Sequence, residues 1–233
     1  MTTTDEMPRG PAGPGEQVEM QAMPKHMPTT EMLADYASGA ASPGVSLLIA
    51  AHLTHAPESR ARVGAFEAVG GALLADEQPL PMSAAALDDV LARLDGDDAQ
   101  DAPVRHDPGP LPGPVIEAVG RDFDKIAWKF RLPGVAECEL DGYPGEKVSL
   151  LRARPGARMP QHTHEGRELT LVLAGVLQDG DEVYRAGDVA INTEDDDHRP
   201  EIIGDETCYC LIVMSGGLRF TGRFSRALNF LAE

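Results

Sequence analysis

The spacing of apolar residues changes character near residue 123, and the chain divides there. Before that point they recur at helical intervals. Thr30-Glu-Met-Leu-Ala-Asp-Tyr36 predicts a short helix with Gly39 as its stop. Ser42-Pro43 reads as an N-cap followed by proline at the first helical position, opening the run from Val45 to Leu53. That run is apolar on most sides, so it is expected to be buried in a small bundle. Pro57 opens a third helix, with Val63, Phe66, Val69, Leu73 and Leu74 along one stripe. Ser83 is expected to cap a fourth, with Leu87, Val90, Leu91 and Leu94 at amphipathic spacing. Beyond residue 123 the grammar is short runs bounded by Gly, Pro and Asp: Ala127 to Phe130, Val148 to Ala153, Leu169 to Leu173, Glu182 to Tyr184, Val189 to Asn192 and Cys208 to Met214. Short strands at such spacing predict an all-β barrel or sandwich. Between the halves, the acidic run Asp95 to Asp101 and a Pro- and Gly-rich stretch through Pro114 read as a self-repelling linker. Residues 1–28, with Pro8-Arg-Gly-Pro-Ala-Gly-Pro14 and no periodicity, are expected to be a disordered extension. The expected fold class is α + β multidomain: a helical bundle over 29–94, a linker over 95–120 and a β-barrel over 121–233.

Composition narrows the partners. A net charge of −18 excludes direct nucleic-acid binding through clustered Lys and Arg and favours a basic partner protein. No apolar run approaches the length of about 18 residues that spans a bilayer. The start, Met1-Thr-Thr-Thr-Asp-Glu-Met-Pro8, lacks the basic-then-apolar order of a secretory signal. An odd number of cysteines, 3, argues against a disulfide framework. Cys208 and Cys210 share one face of a strand, where they are expected to be reduced core residues, since neighbours two apart on an extended strand are poorly placed to bridge. The expected location is cytoplasmic.

The chemistry is concentrated in one segment. His162 and His164 sit two apart in a strand-like run, so both imidazoles face the same side. Glu168 begins the next apolar run and can add a carboxylate oxygen. His198 follows after Asp188-Val-Ala-Ile-Asn192. Three imidazoles and a carboxylate suit one divalent metal, zinc first, with manganese, iron or nickel also fitting the set. Asp195, Asp196 and Asp197, before His198, read as a solvated turn rather than as catalytic acids.

From Gly156 to Gly175 the pattern Gly-x5-His-x-His-x3-Glu-x6-Gly resembles the first motif of the cupin superfamily at every fixed position, and Gly187 with His198 resembles the second. The resemblance implies a small barrel binding one metal through His162, His164, Glu168 and His198. From about Thr29 onward the chain also resembles the ChrR-type anti-sigma factors. Tyr36 and Gly39, Ala51-His-Leu53, Ser59-Arg-Ala-Arg-Val-Gly-Ala65, Glu168-Leu-Thr-Leu-Val-Leu173, Cys208-x-Cys210 and Leu218-Arg-Phe220 carry that likeness. It implies a helical module that holds an extracytoplasmic-function sigma factor and a cupin that releases it under oxidative stress. The family's helical zinc motif, His-x3-Cys-x2-Cys, is broken here. His52 remains, but Ala56 and Ser59 stand at the cysteine positions, so a tetrahedral site with two thiolates cannot form. His26 and His55 are the nitrogen donors left to join His52. The expected function is therefore an anti-sigma factor and not an enzyme. A cupin metalloenzyme such as a dioxygenase is the alternative, and a stand-alone small-molecule sensor a third reading.

Overall fold

A computed structural model describes residues 23–94 and 106–222. The acidic run of the linker and most of the N-terminal extension lie outside the described residues. Four helices follow the expected segments: α1 (Thr30–Ser38), α2 (Pro43–His55), α3 (Pro57–Ala75) and α4 (Ala86–Leu94). The Thr29 hydroxyl accepts the Met32 N–H at the start of α1, and Gly39, at φ 74°, closes it. Ser42 takes the N-cap position of α2, but its hydroxyl donates to Glu146 Oε1 at 2.6 Å. Glu146 Oε2 accepts the Gly44 N–H at 2.9 Å. A carboxylate from the β half thus caps the positive end of α2.

The β half contains β1 (Lys129–Leu132), β2 (Val135–Leu140), β3 (Lys147–Ala153), β4 (His162–His164), β5 (Glu168–Ala174), β6 (Val176–Asp179), β7 (Glu182–Arg185), β8 (Val189–Asn192), β9 (Glu201–Ile203), β10 (Cys208–Met214) and β11 (Leu218–Phe220). The main sheet has the order β1-β2-β3-β10-β5-β8, all antiparallel. Two smaller sheets, β7-β6-β9 and β11-β4, face it. The ladders do not run continuously round a closed barrel among the described residues; the cupin arrangement is that of facing sheets.

Side-chain alternation on the central strands explains the packing. Leu169, Leu171 and Leu173 of β5, Leu211 and Val213 of β10, and Val148 and Leu150 of β3 join one core with Leu33, Leu48, Ile49 and Val115 from the helices. The alternate residues Val172, Cys208, Cys210 and Ala153 join a second core on the inner face, with Leu177 and Ile202. Helices and sheet therefore share a hydrophobic core, where the sequence pattern had suggested a separate bundle and barrel.

Three boundaries move accordingly. The expected linker 95–120 ends in a helix, α5 (Gly113–Val119), which buries Val115, Ile116 and Val119. Pro114 lies in its first turn, where proline needs no hydrogen-bond partner, so a proline-rich stretch did not exclude a helix. Residues 23–28 of the expected extension are tied down. Asp188 Oδ1 accepts the Lys25 and His26 N–H groups at 2.6 and 2.9 Å, and the Val189 N–H donates to the His26 carbonyl at 2.9 Å. Finally, the α3 stripe is buried only at its start, at Val63. Val69, Leu73 and Leu74 are 60%, 66% and 74% exposed, and α4 buries no residue. No helix among the described residues is long and apolar enough to cross a membrane.

Candidate metal centre

β4 and the segment leading into β9 are held together by their backbones: His162 N–H donates to the His198 carbonyl at 3.1 Å, and His198 N–H donates back at 3.0 Å. β11 pairs with β4 on the other side, placing Phe220 opposite His162 and Leu218 opposite His164. These ladders bring three imidazoles together. Among the described residues, His162, His164 and His198 form the group whose ligand atoms all lie within 4.8 Å of one another.

Each ring is oriented by a partner. His162 Nδ1 lies 2.7 Å from the Pro160 carbonyl, which only an N–H can satisfy, so Nε2 is left as the lone-pair donor. His198 Nδ1 lies 2.5 Å from Asp179 Oδ2, and its Nε2 faces His164 Nε2 at 2.9 Å. An imidazole braced by a carboxylate on one nitrogen and free on the other is the usual arrangement of a metal ligand. Burial, with the neighbouring His198, lowers His162 to a pKa of about 4; burial and the other two rings lower His164 to about 4. Both are therefore neutral at pH 7, as metal binding requires. His198 differs: burial pulls it down, but the Asp179 hydrogen bond and charge outweigh that and hold it above its usual value.

Glu168 is buried at the start of β5, with Oε2 3.5 Å from His164 Nδ1 and Oε1 accepting the Thr170 hydroxyl at 3.1 Å. It stands beside the three-imidazole cluster rather than inside it, and burial pushes its carboxyl upward. His164 Nδ1 is buried and has no hydrogen-bond partner, an orphaned polar atom at the centre's edge. Three imidazole nitrogens with an adjacent carboxylate fit a borderline divalent metal.

Asp179, at the end of β6, was not legible in the sequence. Gln178-Asp-Gly-Asp181 reads there only as a hairpin turn. The acidic turn before His198 is structural, as expected: Asp196 accepts from Thr193 N–H and hydroxyl, and Asp197 accepts from Gln161 and Thr221. A cavity of about 500 Å³ opens beside the histidines, between the main sheet and the smaller ones.

The position of the family's helical zinc site is filled differently. His52 is fully buried, with Nδ1 2.7 Å from the Gly187 carbonyl and Nε2 2.8 Å from Ser59 Oγ. Met27 Sδ lies 3.7 Å from the same hydroxyl. His52 therefore ties α2 to the cupin half through Gly187 and to α3 through Ser59. His26 stacks on Tyr184 instead of joining His52.

Comparison with known proteins agrees with this layout. The ChrR cupin-like domain family matches residues 117–216. The anti-sigma-E factor ChrR of Cereibacter sphaeroides is 36% identical over 197 residues, 84% of this chain and 92% of that protein. The crystal structure of Rhodobacter sphaeroides SigE in complex with the anti-sigma ChrR matches 82% of this chain and 100% of that one, at 33% identity and a TM-score of 0.72. An RmlC-like cupin protein from Ralstonia eutropha, 22% identical, covers 47% of this chain and 81% of that one at a TM-score of 0.39, a likeness too loose to inform function.

Proposed function

The chain belongs to the ChrR family of anti-sigma factors, and from that premise we propose that it sequesters an extracytoplasmic-function sigma factor in the cytoplasm and releases it when the cupin metal centre is perturbed by oxidative stress. The observation that carries the reading is the unburied apolar face of α3 and α4. Leu73, Leu74, Leu87, Val90, Leu91 and Leu94 are 47–75% exposed. Exposed apolar residues at helical spacing on two successive helices mark a protein-binding surface. The related anti-sigma ChrR was crystallised with its sigma factor SigE, and a net charge of −18 steers this chain toward a basic partner.

His162, His164 and His198 are the nitrogen ligands of one divalent metal, zinc first, with Glu168, whose carboxylate lies against His164, as the oxygen ligand. A metal held by these residues would join β4, β5 and the segment before β9. The protein's own residues keep His162 and His198 in the ligating tautomer through the Pro160 carbonyl and Asp179.

The test is co-expression of the full chain with the extracytoplasmic-function sigma factor of the same genome, followed by pull-down and a promoter assay. Wild type is expected to capture the factor and silence its promoter. Leu73→Asp with Leu91→Asp, on exposed positions, is expected to lose capture with unchanged thermal stability. A folded wild-type chain that captures no such factor overturns the reading. The cavity beside the histidines favours one alternative, a cupin metalloenzyme such as a dioxygenase, which oxygen consumption by metal-loaded protein would reveal.

A further inference from the structure

The cavity has a chemical polarity that the histidine centre does not account for. Its walls are largely apolar, with Leu132, Leu151, Met159, Ile212 and Leu218 facing in. Arg131 and Lys147 also line it, on the first and third strands of the main sheet. Their side chains are 41% and 42% exposed, which puts them at its solvent side. Both lean on one carboxylate: Arg131 Nε lies 2.5 Å and Lys147 Nζ 3.7 Å from Glu137, itself mostly buried. No other carboxylate among the described residues lies within 4.0 Å of either cation. Two cations sharing one anion leave a positive charge at this rim, while the other carboxylates that line the cavity, Glu168 and Asp179, stand against His164 and His198. A net positive rim on an apolar cavity suits an anionic head group.

We propose that this cavity binds an organic monocarboxylate with an apolar body, of the medium-chain fatty-acid type. The carboxylate sits on Arg131 and Lys147. The chain lies over Leu151 and Ile212 and is directed toward His162 and His198, which line the same space. A volume of about 500 Å³ falls within the roughly 300–1,000 Å³ typical of small-molecule sites, most of them apolar with a few polar groups fixing orientation. Guanidinium and ammonium groups bind carboxylates through charge-assisted hydrogen bonds, and the apolar walls supply the burial. The proposal deepens the sensor reading by naming a ligand class for the cupin half, and it rests on that reading only for the consequence of binding.

The experiment is calorimetric titration of the full chain, metal-loaded and metal-stripped, with octanoate, decanoate and octan-1-ol. Octanoate and decanoate are expected to bind with one site per chain. Arg131→Gln with Lys147→Gln is expected to weaken carboxylate binding by about tenfold or more, the loss of at least one charge-assisted contact, while leaving octan-1-ol unchanged. Ile212→Phe, which fills the cavity, is expected to abolish both. Absence of carboxylate binding to wild type at millimolar concentration overturns the proposal, as does equal affinity in the Arg131 and Lys147 variant, which is soluble-surface in character and does not depend on Ile212→Phe folding. Sigma-factor capture and metal content are measured on the same samples. Failure there with carboxylate binding intact overturns the sensor reading and leaves this one standing.

Discussion

Replacing Gly44 by alanine asks whether α2 is seated on the main sheet as closely as the structure has it. Two effects oppose each other. In a helix alanine is favoured over glycine by up to about 1 kcal/mol, and by less near an end. Against that, a methyl group on Gly44 would meet Glu146 Oε2 at 2.7 Å, Val148 Cγ2 at 2.8 Å and Val213 Cγ1 at 3.0 Å. The Glu146 side chain can yield, at the loss of its hydrogen bond to the Gly44 N–H. The valine methyls cannot, because Val148 and Val213 are 0% and 2% exposed on the central strands β3 and β10. Overpacking of this kind costs about 1–3 kcal/mol. The clash wins, leaving a net loss of roughly 1–2 kcal/mol, which lowers Tm by about 2–8 °C in a chain of this length. Gly70→Ala is the control. Gly70 is exposed in α3 with nothing within 4 Å of where its Cβ would stand, so it should show the helix gain alone and raise Tm by about 2–4 °C. Thermal unfolding of the full chain, followed by circular dichroism and calorimetry, reads both. If Gly44→Ala stabilises as Gly70→Ala does, the helical half is not docked on the sheet and the shared core is wrong.

Metal content and pH give further tests. His162→Ala with His164→Ala should remove the metal and lower Tm, because ligation joins separate strands, and metal analysis of purified protein checks it. Asp179→Asn should weaken metal affinity by about 10–100-fold through loss of the brace on His198, read by competition with a chelator. In metal-free protein, His162 and His164 have folded-state pKa values of about 4 against the ordinary 6.5, so the unfolded chain takes up protons first as pH falls. Their contribution to stability should be level above about pH 6.5 and decline from there toward pH 4, with His52 and His55, also lowered by burial, acting in the same direction. His198 is raised and acts oppositely, contributing stability that is lost as pH rises through its folded-state value. Tm measured from pH 4 to pH 8 on His198→Gln and wild type separates the two; an acid-side rise in wild type would contradict the burial of His162 and His164.

The local elements were legible because their signals are local. Gly39, Pro43 and Pro57 mark helix ends through backbone constraints that act within a residue or two. The strands β3, β5 and β10, seven residues each, are long enough to show their apolar content. β6, β9 and β11 are three or four residues each, too short for apolar alternation to register. The histidines were legible because His162 and His164 share a strand face. Asp179 was not, because its partner His198 lies 19 residues away and only the β6–β9 pairing brings them together. Asp188 was hidden for the same reason: its carboxylate holds Lys25 and His26 from more than 160 residues away in sequence.

Periodicity reports that a face needs covering and says nothing about what covers it. α2 is apolar on most sides, and the structure gives each side a partner: α1, α3 and α5 on one, and β5 and β10 on the other. The stripe on α3 and the face of α4 looked equally like core, yet beyond Val63 and Phe66 no element of the described chain packs there. Burying one leucine contributes about 1.5–3 kcal/mol, so leaving Leu73, Leu74, Leu87, Leu91 and Leu94 in water forgoes a large stabilisation. The chain does not lack packing surface, since α5 is drawn out of a proline-rich stretch to cover α2. Five leucines stay uncovered among the described residues while a seven-residue helix is recruited to the core, the pattern expected of a protein-binding surface. α3 is tied through Ser59 to His52 of α2, which in turn reaches the Gly187 carbonyl of the cupin half. A partner held on α3 is therefore connected, through Ser59, His52 and Gly187, to the half that contains the histidine centre.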